Sequence, residues 1–281
     1  MSDVAGTILV SLDGSHLAER ALPLAAWLAG ATGGRVRLVH VIDDERLRDQ
    51  PAELKTASER FAAYAGGLAK TNGLFDATTE VLAGDPASRL LEAAAECGFV
   101  VMATHGRGGF RAAIIGSVAD KVVRGTPVPI LVVPGTGRTE VPSADKPFVV
   151  GLDGSPEAER GLALARELAA RTGAKVTLVR AFHIPPPAGV EFSYYPPDVL
   201  TSLQEAAEEY IRSVAKPGEG ERLVQGDAAT AILETAKEVD AGLVVLTSGG
   251  KGLAKRLAFG SVTDRVLHAL ERPLLVVPPK R

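Results

Sequence analysis

Cysteine is almost missing from this 281-residue chain, with Cys97 the one example. A lone cysteine excludes an intrachain disulfide and any zinc site built on paired thiolates. Its setting, AAECGFVV, puts it at a helix end before an apolar strand, where a thiol serves as a packing residue. No apolar run approaches the ~18–20 residues that a membrane span needs, and the first residues carry no basic segment ahead of an apolar one. A cytoplasmic protein with no membrane partner is therefore expected. An excess of charge of either sign is also lacking: the net charge is −3, which argues against nucleic acid or acidic membranes as the main partner. The five histidines are scattered without HxH or HxxxH spacing, so no metal site is expected from them. Neither a Walker A loop nor a Gly-x-Ser-x-Gly elbow occurs, which removes P-loop phosphate holding and a serine-hydrolase nucleophile.

What is present is ordinary globular composition, 46 % hydrophobic and 23 % charged, enough for one large domain or two of usual size. Repetition decides between them. Leu12 to Ser15 (LDGS) recurs 140 positions later as Leu152 to Ser155, and TGGRVRLV at 32–39 recurs as TGAKVTLV at 172–179. Gly84-Asp85 returns as Gly226-Asp227, and Gly116-Ser117-Val118 as Gly260-Ser261-Val262. A period near 140 is far too long for a solenoid and describes one duplicated domain. The stretch PGTGRTEVPSADKP has no periodicity and much Gly, Pro and Thr, so it reads as a linker. The expected division is a first domain at 1–135, a linker at 136–146 and a second domain at 147–281.

Within the first half, TILVSL (7–12) reads as a strand ended by an Asp-Gly-Ser turn. Leu17, Ala21, Leu24 and Leu28 recur at helical spacing, predicting one helix over 16–31 that the Thr-Gly-Gly at 32–34 stops. Strands are predicted at 35–42, 77–84, 99–103 and over PILVVP. A helix over 53–70 has its end weakened by Gly66-Gly67, and Asp85-Pro86 opens another with an N-cap and an N1 proline. A short helix is predicted over 117–124, and the second half repeats the order. Strands alternating with helices imply parallel pairing through right-handed crossovers, hence two five-stranded open α/β domains. The apolar closing strands PILVVP and PLLVVP would leave bare edges, and pairing them together makes a pseudo-dimer within one chain.

Ligands of open α/β sheets sit outside the strand carboxyl ends where strand order reverses. The candidates there are Asp13, the segment after Val41, and the glycine loop after Ala103, with Asp153 and the loop after Thr247 in the repeat. Each loop runs on to a Gly-Ser that opens a helix, where backbone N–H groups and a hydroxyl favour an anion. Arg107 and Arg111, or Lys251, Lys255 and Arg256, add positive charge, and His105 lies in the first loop. SGGK at 248–251 faintly resembles a pyrophosphate loop, but that loop follows a first strand and this one a fourth. Residues 184–198, IPPPAGVEFSYYPPD, lack a counterpart in the first half and gather aromatics; they read equally as a pocket cap, a partner-docking segment or an ordered surface loop.

The SLDGS opening, the glycine loop ending in Gly-Ser and the closing LVVP, repeated in the same order over nearly the whole chain, resemble the universal stress protein family in its tandem form. The resemblance implies adenine nucleotide alpha-hydrolase-like sheets of strand order 3-2-1-4-5. It also implies ATP, with Mg2+, held by a loop written Gly-x-x-Gly, nine residues, Gly-Ser/Thr. By that pattern Gly106, Gly116 and Ser117 hold phosphates with Arg107, Gly109 and Val118 beside them, Asp13 lies close to the nucleotide and the Val41 backbone meets adenine. The corresponding residues of the second half are Gly250, Gly260, Ser261, Val262, Asp153 and Ala181. The pattern's leading glycine is replaced, by Ala103 in the first copy and Thr247 in the second. Thr is bulkier and β-branched, so the first half is expected to bind the more readily. The implied function is an ATP-binding stress-response regulator, a homodimer with a protein partner; a scaffold without nucleotide and a slow ATP hydrolase using Asp13 are the alternatives.

Overall fold

The computed structural model describes residues 6–104, 115–135, 139–182, 197–249, 259–269 and 271–279. They divide into two compact units, one of 1–142 together with 268–281, the other of 143–267. In the first unit the elements are β1 (Thr7–Ser11), α1 (His16–Glu19), α2 (Ala21–Thr32), β2 (Arg35–Ile42), a 3-10 turn (Glu45–Asp49), α3 (Pro51–Thr71), β3 (Thr78–Ala83), α4 (Pro86–Ala94), β4 (Phe99–Ala103), α5 (Ser117–Gly125) and β5 (Ile130–Val133). The second unit carries β6 (Phe148–Leu152), α6 (Pro156–Thr172), β7 (Val176–Phe182), α7 (Pro197–Val214), β8 (Gly220–Gln225), α8 (Ala228–Glu238), β9 (Leu243–Thr247) and α9 (Ser261–His268), and β10 (Leu274–Val277) follows.

β1 lies between β2 and β4, parallel to both, with Ile8 opposite Val36 on one side and Phe99 on the other. β2 pairs with β3 and β4 with β5, also parallel, which gives the expected order 3-2-1-4-5. Ile8, Leu9 and Val10, and every residue of β4, are buried, as a parallel strand covered on both faces requires. In the second unit β6 likewise lies between β7 and β9, with β8 beyond β7. The closing strands do pair: β10 runs antiparallel to β5, with Leu275 opposite Leu131, and so completes the edge of the first unit's sheet.

One local expectation gives way. The single helix over 16–31 is broken at Arg20 into α1 and α2. Pro23 explains the break: it has no N–H for the Glu19 carbonyl four residues back, and its ring crowds that carbonyl. Position 163 of the repeat is Ala, and α6 runs unbroken from Pro156 to Thr172. The helix expected over 53–70 is present as α3, which starts two residues earlier and runs through Gly66-Gly67 to Thr71. A Cβ added to either glycine meets nothing within 4 Å. The Asp85 cap is as expected, its carboxylate accepting from Ser88 N at 2.9 Å with Pro86 next in line.

Because Gly67 is exposed in a helix interior and has open space, Gly67→Ala is expected to raise stability by about 0.8–1 kcal/mol. Urea unfolding checks it; an unchanged or lowered midpoint contradicts an unbroken α3.

Candidate functional site

Each unit has one place where neighbouring strands send the chain in opposite directions, at the carboxyl end of its first strand. In the first unit, Leu12 N donates to Val39 O at 2.9 Å and β1 then turns away. Backbone groups alternate sides along a strand, so Val41, two residues beyond Val39, faces the space that β1 vacates. Ile42 faces the other way, its carbonyl accepting from Gly84 N at 2.9 Å. The second unit repeats this: Phe182 O accepts from Gly226 N at 2.9 Å, which turns Ala181 toward the end of β6.

Asp13 and Asp153 stand at these strand ends. Asp13 Oδ1 accepts from Ser15 N at 2.9 Å and from Ser15 Oγ at 2.6 Å. Asp153 Oδ1 accepts from Ser155 N at 2.9 Å and its Oγ at 2.5 Å. The serines in turn cap α1 and α6, their hydroxyls accepting from Ala18 N at 3.2 Å and Ala158 N at 3.1 Å. Between aspartate and serine, Gly14 and Gly154 take φ of 81° and 78°, a conformation that a side chain disfavours. LDGS is thus a turn whose parts are each needed locally, and one carboxylate oxygen of each aspartate is committed to it.

The third side of the crevice is the start of α5, and of α9 in the repeat. Gly116 N donates to Thr104 O at 2.8 Å and Gly260 N to Ser248 O at 2.8 Å, which ties each helix start to the end of the preceding strand. The amide of each glycine is therefore committed inside the protein, contrary to the expectation that it would meet a phosphate. The amides facing outward belong to Ser117 and Val118, and to Ser261 and Val262, in the first turn after it. Serine or aspartate side chains cap α1, α4, α6 and α8, whereas Gly116 has none to offer α5. Among the described residues, packing does not demand glycine at either position. Gly116 has φ −61°, and an added Cβ meets only Thr104 O, at 3.4 Å; at Gly260 the nearest atom is Ser248 O at 3.5 Å. A helix start without a side-chain cap, with space where a side chain would stand, fits a phosphate group pressed against the backbone.

Asp13, Val41, Gly116, Ser117 and Val118 thus lie at the carboxyl ends of the neighbouring strands β1, β2 and β4, and Asp153, Ala181, Gly260, Ser261 and Val262 at those of β6, β7 and β9. Gly106, Arg107, Gly109 and Gly250 lie outside the described residues, as do His105, Arg111, Lys251, Lys255, Arg256 and the stretch 183–196.

The steric objection to the second half does not hold. A Cβ on Gly161 of α6 would come within 2.9 Å of the Thr247 methyl, so that methyl points into the helix face, and the glycine makes room for it. The equivalent pair in the first half is Ala21 and Ala103. Thr247 Oγ1 donates to Gly249 O at 3.1 Å, and its carbonyl accepts from Thr263 Oγ1 at 2.8 Å. The extra bulk is absorbed behind the strand.

Sequence reasoning missed a set of side chains behind each turn. Tyr64 of α3 donates to Glu19 of α1 at 2.7 Å, and Tyr210 of α7 to Glu159 of α6 at 3.3 Å. Burial, then the charge of Glu159, pushes the Tyr210 phenol up to about 12. The repeated Ala-Glu-Arg at 18–20 and 158–160 was the available signal for the carboxylates. In the second unit Arg265 of α9 also grips Asp227, the cap of α8, with two donors, which holds that carboxyl well below the usual range. Among the described residues, no three His, Cys, Asp or Glu side chains gather as a metal site would need, and no helix is long and apolar enough to cross a membrane.

Comparison with known proteins agrees on one family. The model of the universal stress protein family matches residues 5–134 and again 146–278. A universal stress protein of Mycobacterium tuberculosis is 26 % identical over 289 aligned residues, covering 96 % of each chain. One from Mycolicibacterium smegmatis is 28 % identical over 292, covering 97 % of each. The crystal structure of a universal stress protein from Archaeoglobus fulgidus superposes with a TM-score of 0.70 over 99 % of both chains at 20 % identity, a likeness of fold.

If Gly161 exists to admit Thr247, the two positions are coupled. Gly161→Ala is expected to be more favourable in a Thr247→Ala background than alone, by about 1–3 kcal/mol. A double-mutant cycle from denaturant unfolding measures this; additivity within about 0.5 kcal/mol would contradict the contact.

Proposed function

Since the chain belongs to the universal stress protein family, we propose that it is a cytoplasmic regulator that binds ATP, with Mg2+, in the crevice beside β1 and in its counterpart beside β6. The observation that carries this is the start of α5 at Gly116, which has no side-chain cap and where neither φ nor packing against the described residues calls for glycine. In this reading the Ser117 and Val118 amides, with the Ser117 hydroxyl, take phosphate oxygens, because the positive end of the helix dipole and outward N–H groups both favour an anion. The Val41 backbone supplies directional hydrogen bonds to the adenine edge. Asp13, held by Ser15, lies where ribose or the ion accompanying the phosphates would stand. Gly260, Ser261, Val262, Ala181 and Asp153 do the same in the second crevice. With Thr247 turned into Gly161, the reason for ranking that crevice lower is gone, and two ATP per chain is the stoichiometry proposed. The loops carrying Gly106, Arg107, Gly109 and Gly250 complete each site in this proposal. Nucleotide occupancy would be read by a protein partner or a second copy of the chain, and any hydrolysis would be slow.

Binding only to the folded state stabilises it by about 2.7 kcal/mol at a ligand concentration 100 times Kd. ATP–Mg2+ is therefore expected to raise the unfolding temperature of the wild-type chain and to titrate at two equivalents. Gly116→Val and Gly260→Val are each expected to remove one equivalent, and to lower stability in the absence of ATP by only about 1 kcal/mol, the difference between glycine and valine at a helix N-cap. The absence of adenine nucleotide in the supernatant of denatured protein, together with no thermal shift, would sink the proposal.

A further inference from the structure

One main-chain oxygen at each strand end is gripped by a side chain, and the two halves use different residues to do it. In the first unit, His40 Nδ1 donates to the Leu12 carbonyl at 2.8 Å; a carbonyl only accepts, so that nitrogen carries the proton. In the second, an Arg180 terminal nitrogen donates to the Leu152 carbonyl at 3.2 Å. Positions 40 and 180 stand at the same 140-residue spacing as 12 and 152. Leu12 and Leu152 are 1 % and 5 % exposed, so water is a poor substitute donor, and an unpaired carbonyl there costs about 1–3 kcal/mol. The gripping side chains are themselves fixed. The His40 ring stacks on Phe61 of α3, with centroids 5.5 Å apart and planes at 28°. The Arg180 guanidinium carbon lies 5.6 Å from the Tyr210 ring centroid on α7, a cation–π distance.

The carbonyl of Leu12 belongs to the peptide unit that enters Asp13, and that of Leu152 to the unit that enters Asp153. Holding the oxygen sets the orientation of that whole planar unit. The other end of each turn is already set by the aspartate-to-serine hydrogen bonds. We propose that His40 and Arg180 are positioning residues: by holding the Leu12 and Leu152 carbonyls they fix the direction in which Asp13 and Asp153 are presented, and so set the affinity of each crevice for ATP. The inference rests on the nucleotide reading above. It requires a donor that reaches the carbonyl rather than a particular residue type, which is why a histidine and an arginine serve alike.

The test uses the full-length chain as wild type, His40→Phe, Arg180→Met and Arg180→His. Hydrogen exchange of the Ser15 and Ser155 amides reads the turns directly, because those N–H groups donate to Asp13 and Asp153. Calorimetric titration with ATP–Mg2+ reads affinity. His40→Phe is expected to speed exchange at Ser15, and Arg180→Met at Ser155, each by ~10-fold, and each to weaken one ATP equivalent by ~10-fold. Arg180→His, which supplies the donor used by the first half, is expected to restore both readouts; it also separates loss of the hydrogen bond from a general folding failure. Unchanged exchange in His40→Phe and Arg180→Met overturns the inference. So does faster exchange with unchanged ATP affinity, since the grip would then only brace the fold. If the wild-type chain takes up no ATP, the nucleotide reading has failed and the affinity claim goes with it, while exchange still decides whether these side chains hold the turns.

Discussion

Parallel hydrogen bonding of β1 to β2 on one side and β4 on the other is the constraint from which the rest follows. Parallel strands need crossovers, and crossovers leaving a central strand toward both edges must part above its carboxyl end. The parting exposes main-chain groups of β2 that β1 would otherwise cover, and brings the start of α5 to the end of β4. Every feature of the crevice is then a matter of chain direction: Val41 faces it by alternation, Asp13 by succession, Gly116 through its hydrogen bond to Thr104. The second unit obeys the same constraint through β6, β7 and β9. Two strand-end turns of one design arise without any single residue having to be unusual.

Behind each crevice the helices do more than cover the sheet. Glu19 and Tyr64 join α1 to α3 where His40 and Phe61 are stacked, so the helix that follows β2 is fastened at the height of the aspartate turn. Glu159, Tyr210 and Arg180 make the equivalent fastening in the second unit with a permanently charged side chain in place of an imidazole. Tyr64 pairs with Glu19 and Tyr210 with Glu159, so each fastening includes one hydrogen bond between neighbouring helices.

Much of the architecture was legible because it is written in period and punctuation. The LDGS repeat, the Asp85-Pro86 cap and the apolar runs specify duplication, a helix start and buried strands with local physics alone. The misreading there has a local cause too. Pro23 announced the break between α1 and α2, but the even spacing of Leu17, Ala21 and Leu24 outweighed it. The helix over 53–70 was read correctly despite Gly66-Gly67, and Phe61, Ala65 and Ala69 are the residues it buries on either side of them. The site was harder to read. The direction of the Thr247 side chain depends on which helix packs behind β9, and the answer sits 86 positions away, at Gly161. His40 and Arg180 differ in type, so comparing the two halves by identity passes over them. The committed amide of Gly116 depends on Thr104, a tertiary contact that spacing cannot encode.

The antiparallel pairing of β10 with β5 bears on how the chain reaches its final state. β5 is ILVV, uncharged and wholly buried, and the strand that covers its edge begins at Leu274, about 140 residues later. At synthesis rates of roughly 5–20 residues per second, a nascent first unit waits on the order of ten seconds or more with an apolar edge able to accept any extended segment. β10 thus acts as a stopper fitted long after the edge that it covers has been made. Selection on this sequence has to hold that edge safe through the interval, as well as preserve the crevices that the finished sheet supports.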